Sequence, residues 1–562
     1  MNMKSNVKII VLSIILSMLP CQAMLKTSMQ SATPQSTFGA LLQPIKDNYI
    51  ALAAVSLATF AFYKMHQLYK SVNADNQLNL KIQNADIKTL AFPKDFIWGA
   101  ASSSHQVEGN CTNNNWSKWE KEQMGKKVKE ASGTACDHWN KYQDDIGLYE
   151  EVGVDAARIS IEWSKVQPRI PTKEDAGFDQ EAIEHYIDVC NAFNKAGKKV
   201  CITLNHYTIP LWFEKIDGFA DEKNTPYFVA YCKKMFEQLH DKVYMWFTFN
   251  SPDGYAAKSY LTGDNPPGEK NMQRMALVYK NLLQAHVQTY HTLKALPGGA
   301  KSRIGILKNI YQLDPTTGNS WTGTLKYPLT LVACSTGRSL QDDCFFDFFT
   351  TGKFNIYVPF KANVAYTNKD AIGAFDFIGI NYYSHGMMCG ATITPNSSET
   401  TTDNERYTIY PEGIYRAIKT IHDRLVKPLK NIKTIPMYIT ENGIATQNEK
   451  VRAQFYKEYL YAVSRAIADG YDVRGYFVWS IMDNYEWGSY NKPFGLFHVD
   501  FSTQKRTLKQ GAKFYQQVIK DFHDKKNIQQ ALEYNSQSSE SKAKRDHALS
   551  NFDTNLISVS VA

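Results

Sequence analysis

Residues 474–487 read RGYFVWSIMDNYEW. A short β-rich run, Gly475–Val478, gives way at once to Trp479, Glu486 and Trp487. The same grammar repeats upstream. Pro436–Ile439 runs into Glu441 and Asn442, and Phe375–Ile380 into Asn381, Tyr382 and Tyr383. Met245–Thr248 leads to Asn250 and Ser251, Lys199–Leu204 leads to His206, and Ala156–Ile161 carries Arg158 within it. Arg303–Leu307 is a further strand of this kind. Helical patterns lie between, for example Asp179–Ala196, Met272–Leu296 and Lys450–Asp469. Strand–helix alternation from about residue 90 to residue 523 implies an α/β fold with a parallel sheet. Alternation alone fits an open doubly wound sheet as well as a closed (β/α)8 TIM barrel. In a barrel the carboxyl ends of all strands open onto one mouth, where active sites are built. A single polar residue at a strand end often only caps a helix. Six such strand ends are hard to read as packing.

The composition suits a large enzyme-like domain. The 562 residues are 43% hydrophobic and 21% charged, enough to bury a sizeable core. Aromatic residues make up 13%, with 33 Tyr and 10 Trp, and flat rings suit the apolar faces of sugars. The net charge of +8 is spread along the chain. The basic cluster from Lys121 to Lys129 is interleaved with acids and reads as a solvated loop, so no nucleic-acid partner is implied. The nine cysteines are scattered and odd in number, with no zinc-type CxxC pair. Cys334 and Cys344 would close a short disulfide loop in an oxidising compartment. Neither GKKV nor GGAK has phosphate-loop spacing, and no His/Cys cluster implies a metal or another cofactor.

The two ends read differently from the middle. In residues 1–23, Lys4 and Lys8 precede an apolar run ending at Leu19, and Ala23 follows, which is the layout of a signal peptide; an uncleaved N-terminal membrane segment is the alternative. Residues 49–63, YIALAAVSLATFAFY, carry no charge and read as a membrane anchor, although a span usually needs about 20 residues. Residues 64–90 read as a polar linker. Basic residues after the anchor argue for a cytoplasmic domain and the signal argues for export, so the chain is expected to be membrane-associated or secreted, with the side left open. Residues 526–562 are polar and are expected to be a disordered tail or a loosely held helix. The folded unit is expected over 91–523. Its oligomeric state is not legible.

Several segments together resemble the family 1 β-glycosidases, from about residue 92 to residue 516. FPKDFIWGAASSSHQVEG (92–109) resembles that family's opening strand, HYTIP (206–210) its HWDLP segment, and TFNSP (248–252) its TFNEP. YITENG (438–443) matches the nucleophile motif as it stands. RGYFVWSIMDNYEW, followed by FGLFHVDF (494–501) and KRTLK (505–509), matches the last-strand motif and the segment beyond it. The order and spacing of the set are specific, whereas ENG alone would mean nothing. The resemblance implies a (β/α)8 barrel acting on a carbohydrate, with Glu441 as nucleophile. Gln106, His206, Asn250 and Asn381 would hold the bound sugar, Glu486 and Trp487 its far side, and Trp479 would be its stacking floor, with Phe494 beside it. Arg158 and Tyr383 would flank Glu441; a nearby cation and a phenol hydrogen bond keep a carboxylate ionised. The alternative reading of Arg158 is a structural strand-end ion pair. Glu486 would repel phosphate, so the resemblance implies an unphosphorylated β-glucoside or β-galactoside.

One departure bears on chemistry. The family's second catalytic carboxylate should follow Asn250, and Ser251 stands there. The alignment is not slipped, because PDGYAAKSYLTGDNPPG (252–268) continues with the family's spacing. Asp253 lies two residues on at a different azimuth and is a poor substitute. Retaining glycosidases need two carboxyl groups about 5–5.5 Å apart. A serine hydroxyl cannot protonate a leaving oxygen near neutral pH, and positioned acid–base catalysis is worth roughly 10²–10⁴-fold. Milder departures touch the rim: Tyr207 stands for a usual Trp, Pro493 for a usual Arg, and Asn448 lies near a position that is often acidic.

Three functions fit. The first is a retaining β-glycosidase, impaired or specialised for aglycones that leave without a proton. The second is a non-catalytic sugar-binding pseudoglycosidase. The third is a transglycosidase, in which a sugar acceptor replaces water. The first draws on the retained nucleophile and sugar-binding set, and the second on Ser251.

Overall fold

The computed structural model describes residues 90–537, apart from 319, 395, 397, 398 and 404–406, together with residues 63, 65–70, 80 and 82. Side chains are described as far as residue 527. The sequence segments 1–23 and 49–62 lie outside the described residues.

Eight parallel strands close on themselves, which decides between the open sheet and the barrel. They are β1 (Ile97–Ala101), β2 (Ala156–Ser160), β3 (Lys199–Asn205), β4 (Met245–Asn250), β5 (Ile304–Asn309), β6 (Phe377–Asn381), β7 (Met437–Asn442) and β8 (Val473–Trp479). Each pairs with its neighbours in sequence, and β8 returns to β1 with Ile97 opposite Gly475 and Ala101 opposite Trp479. Nearly every strand residue is buried, as expected when helices cover the outside of a barrel and side chains fill the inside. The covering helices start on side-chain caps placed by the sequence. Asp179 accepts from the Ala182 N–H at 2.9 Å, Asn271 from Arg274 at 3.1 Å, and Asn448 from Lys450 at 3.1 Å.

The barrel is plugged. Ile97, Ala156, Cys201, Met245, Phe247, Leu307, Phe377, Tyr438 and Phe477 form a separate apolar cluster, with every strand contributing. Side chains on a strand repeat every second residue. Two residues beyond members of this floor, toward the carboxyl ends, come Arg158, Thr203, Thr440 and Trp479. The polar layer therefore rests directly on a dry one. Gly99 makes room in the floor, since a Cβ there would lie 2.2 Å from the Phe477 ring.

Beyond the carboxyl ends of β5 and β6 a small sheet is added. Its strands are Gln312–Pro315, His385–Cys389 and Thr392–Thr394, backed by the helix Trp321–Arg338. His385 bridges Asp314 at 2.7 Å and Glu399 at 2.8 Å, and Arg416 grips Asp314 with two bonds of 2.8 Å.

Two expectations, about the cysteines and the segment before the barrel, need correction. Cys334 and Cys344 are both free thiols: Cys334 packs in an apolar cluster under the small sheet, and Cys344 donates to the Leu340 carbonyl within its own helical stretch. At the start of the polar tail, residues 526–537 continue the last helix, Ala512–Gln537, the helical one of the two alternatives there. The segment 64–90 is more than a linker where described, since Ile82 is buried in the main core and residues 65–70 are helical. Among the described residues no helix is long and apolar enough to cross a membrane.

The plug sets a stability prediction. Phe477→Ala should destabilise the protein by about 3–5 kcal/mol, because the lost ring leaves a cavity that Gly99 cannot fill. Chemical denaturation with the wild type alongside measures this, and a change under about 1 kcal/mol would mean the floor is not tightly packed.

Candidate active site

Above the floor, Arg158 organises the mouth from the centre of β2. Its side chain is wholly buried and every nitrogen is committed. Nε donates to the Thr203 hydroxyl at 3.1 Å. One terminal nitrogen donates to Glu441 Oε1 at 2.7 Å and to the Thr440 carbonyl at 3.1 Å. The other donates to Asn250 Oδ1 at 2.8 Å. The Phe247 ring of the floor lies under the guanidinium at 5.5 Å. The second oxygen of Glu441 accepts from the Tyr383 hydroxyl at 2.7 Å. Burial, then the Glu441 charge and the bond to it, hold the Tyr383 phenol well above its ordinary range, so it stays a donor.

Local irregularities aim these groups. The pairing of β7 with β6 shifts between Ile439 and Glu441, and that of β4 with β5 shifts between Phe247 and Asn250. Such shifts re-aim side chains next to sites. They bring Glu441 and Asn250 to the same guanidinium although strict alternation would separate them from the floor residues' face.

Asn250 and Asn381 then fix each other's orientation. Asn250 Oδ1 accepts from Arg158 and from the Asn381 amide at 2.9 Å, which turns the Asn250 amide to His206 Nε2 at 3.1 Å. His206 Nε2 is therefore the acceptor and Nδ1 carries the ring proton. Burial, then the Arg158 charge, hold this imidazole neutral, far below its ordinary titration range. Its Nδ1 finds no partner in the protein and is buried. The ring stacks on Trp479 at 5.6 Å and on Trp487 at 6.1 Å.

Across the mouth, Trp479 Nε1 donates to Glu486 Oε1 at 2.8 Å. Burial pushes the Glu486 carboxyl up from its ordinary value near 4.5 to about 7, against the Trp479 bond that favours the ionised form. Phe494 meets the Tyr383 ring edge-on at 5.9 Å. Gln106 is fully engaged by the protein. Its oxygen accepts from Ser103 at 2.7 Å, and its amide donates to Asn484 at 3.0 Å and to the Tyr485 carbonyl at 2.9 Å.

Ser251 sits at the turn from β4 into the short helix Pro252–Ala256, with φ of 46° in the left-handed region. Its side chain is buried within the same network. The hydroxyl accepts from the Asn381 amide at 3.0 Å. Asp253 points elsewhere, to Lys308 at 2.9 Å, which also pairs with Asp342 at 2.9 Å. Burial pushes the Asp253 carboxyl up, and Lys308 opposes that. The nearby carboxylate is thus part of a buried ion cluster of its own.

The structure brings Arg158, Asn250, Ser251, Asn381, Tyr383 and Glu441 into one continuous hydrogen-bond network, with His206, Trp479, Glu486, Trp487 and Phe494 around it. Sequence reasoning passed over Thr203 and Thr440, which hold Arg158 and Asn381; Thr440 donates to Asn381 Oδ1 at 2.7 Å. Both look like ordinary strand residues in the sequence, which carries no signal for them. Among the described residues one group of possible metal ligands is close-set: His105, Cys111 and Glu162. His105 is engaged by Glu120 and Asn114, and Glu162 accepts from Ser164 and Thr208, so these donors serve hydrogen bonds.

Known proteins match this arrangement over most of the chain. The model of glycosyl hydrolase family 1 matches residues 88–523. A 1,4-beta-D-glucan glucohydrolase of Thermotoga neapolitana is 30% identical over 461 residues, covering 76% of this chain and 98% of that protein. A 6-phospho-beta-galactosidase of Staphylococcus aureus is 29% identical over 493 residues, covering 76% and 98%. The solved structure of a beta-glycosidase from Pyrococcus horikoshii superposes with a TM-score of 0.67 at 34% identity, covering 77% of this chain and 96% of that one. A barrel with a buried arginine–carboxylate pair at its mouth, matched over most of its length by glycosidases, places the chain in one family: it belongs to glycosyl hydrolase family 1.

Proposed function

We propose that the protein is a retaining β-glycosidase acting on unphosphorylated β-glucosides or β-galactosides, with Glu441 as nucleophile and Ser251 in the place of the acid/base. The observation that carries this reading is the pair of 2.7 Å contacts on Glu441, one from Arg158 and one from Tyr383. The two donors hold both oxygens of Glu441 in fixed directions, and a carboxylate so placed can attack an anomeric carbon. His206 offers an Nδ1–H with no protein partner, as a site for a sugar hydroxyl requires. Trp479 offers a ring for an apolar sugar face, fixed by its bond to Glu486.

Ser251 restricts the proton transfers open to this site. With no carboxyl there, a leaving alkoxide is not protonated and the attacking water is not deprotonated. Aglycones that depart as stable anions escape the first requirement. A glycosyl ester on Glu441 then waits for a base from elsewhere, or for a small anion that attacks unaided. The same substitution favours a second reading, a sugar-binding pseudoglycosidase, since the Ser251 hydroxyl is no carboxyl and is already engaged by the Asn381 amide. A carboxylate at Glu486 supports a neutral sugar over a phosphorylated one. The similarity to a 6-phospho-beta-galactosidase leaves the substrate to be decided by this residue.

With 2,4-dinitrophenyl β-glucoside, the protein should release a burst of about one equivalent of dinitrophenolate and then turn over slowly, faster with azide. Ser251→Glu should raise hydrolysis of ordinary alkyl glucosides by roughly 10²–10⁴-fold. No release from this substrate or from its β-galactoside counterpart would favour the pseudoglycosidase.

Glu486 gives a second test, in stability. Its folded pKa is about 7 against an ordinary 4.5, so between these values the folded chain keeps a proton the unfolded chain has lost. Stability should fall as pH rises through that window, by roughly 3 kcal/mol, and level off above it. Glu486→Gln should flatten this part of the curve, measured by denaturant unfolding from pH 4 to pH 8. Parallel curves for the two proteins would show that Glu486 is not so perturbed.

A further inference from the structure

The end of the barrel opposite the mouth carries a cavity of about 400 Å³ that the glycosidase reading does not use. Its inner wall is the underside of the plug, where Ile97, Phe377 and Tyr438 face it. Four cations line it. Lys199 starts β3, Arg303 directly precedes β5, Arg474 lies at the start of β8, and Lys526 stands on the helix Ala512–Gln537. Three carboxylates, Asp95, Asp155 and Asp376, stand among them. A volume of this size suits a small organic molecule.

These charges do not cancel one another. Asp376 is committed to the fold: it accepts from the Tyr290 hydroxyl at 3.0 Å and the Ile304 N–H at 2.9 Å, and pairs with Lys294 at 2.8 Å. Asp155 accepts from the Trp98 N–H at 3.0 Å and faces His523 at 3.4 Å. Arg474 is gripped by Asp472 through bonds of 2.7 and 2.8 Å. Lys199, Arg303 and Lys526 form no ion pair among the described residues. Arg303 and Lys199 even converge on one ring, that of Tyr244, at 4.4 and 5.7 Å from its centroid. Like charges gathered on one ring repel, and an anion between them relieves the repulsion. Tyr438 adds a donor from within. It is 4% exposed, and its hydroxyl bonds nothing among the described residues. Burial, then the Tyr244 phenol, push the Tyr438 phenol up to about 12 against the Arg303 and Arg474 charges, so it stays protonated. A buried donor left unpaired by the fold is costly unless the cavity supplies an acceptor.

We propose that this cavity binds a small organic polyanion, a phosphate ester or a polycarboxylate, held by Arg303, Lys199, Arg474 and Lys526 with the Tyr438 hydroxyl as inner donor. The planar fork of arginine matches the oxygens of either group. The bound anion ties the starts of β3, β5, β7 and β8 together at the end remote from Glu441. It therefore stabilises the barrel without entering the reaction, and the proposal does not depend on catalysis.

Isothermal titration calorimetry on the full chain tests it, at about 0.15 M salt so that loose surface charge is screened. The probes are pyrophosphate, ATP and citrate. At least one should bind saturably at one site per chain, and the tighter of the phosphate and carboxylate arms identifies the ligand chemistry. Arg303→Gln should weaken that binding at least about tenfold, and Tyr438→Phe by roughly threefold to tenfold. Each variant is first checked for wild-type melting; Lys199→Gln, at an exposed position, replaces Arg303→Gln if that one melts early. The bound probe should also raise the Tm of the wild type and not that of Arg303→Gln. Lys492→Gln, at the mouth beside Glu486, should bind as the wild type does. No saturable binding of any probe, or unchanged binding in Arg303→Gln and Lys199→Gln, would overturn the proposal. Loss of binding in Lys492→Gln would place the anion at the mouth and overturn it as well.

Discussion

The buried contact between Arg158 and Glu441 is the constraint on which the site depends. A guanidinium with no solvent must have every N–H satisfied, or its burial costs several kcal/mol. Here the partners come from β3, β4 and β7 while the arginine itself stands on β2. One side chain therefore sets the relative heights of four strands at the mouth. It also fixes Asn250, which fixes His206 on one side and Asn381 on the other. Removing one partner from a buried pair typically costs about 3–5 kcal/mol, so the geometry is strongly held once formed. The dry floor beneath, with Phe247 against the guanidinium, excludes water from below.

Ser251 is seated within this network. Its hydroxyl takes a bond from Asn381, whose amide also serves Asn250. The left-handed backbone that turns β4 into the next helix is kept at that position. Nothing in the placement of Arg158, Tyr383 or Glu441 requires a carboxylate at 251. The nearest acidic residue in sequence, Asp253, is committed to Lys308 and Asp342 and cannot swing in without stranding a buried lysine. The hydrogen-bonded surroundings of Glu441 are thus built independently of the side chain at 251.

Much of the fold was legible because strand ends and helix patterns alternate so regularly; all seven strands read from the sequence fall on barrel strands. Closure was not legible from alternation and needed either the resemblance or the pairing of β8 with β1. At the site, Glu441, Arg158, Tyr383, Asn250 and His206 could be named because each sits at or near a strand end with a motif around it. Their mutual orientation could not, since it rests on register shifts in β4 and β7 that carry no residue signature. The structure qualifies Gln106: the sequence could not reveal that Ser103, Asn484 and Tyr485 already engage its amide group. Thr203 and Thr440 were invisible for the opposite reason, being ordinary strand residues until the floor beneath them is known. The burial of Ile82 escaped notice because it lies in a polar stretch.

The central claim is that Glu441 is a competent nucleophile despite Ser251. The most direct test is to incubate the protein with 2,4-dinitrophenyl 2-deoxy-2-fluoro-β-glucoside, whose glycosyl ester hydrolyses very slowly, and then map the peptide that gains the sugar. One fluoroglucosyl group per chain is expected, carried on Glu441 and lost when Glu441 is replaced by Gln. An unmodified chain after prolonged exposure to this compound and to its galactose counterpart, or a label on another residue, would contradict the claim.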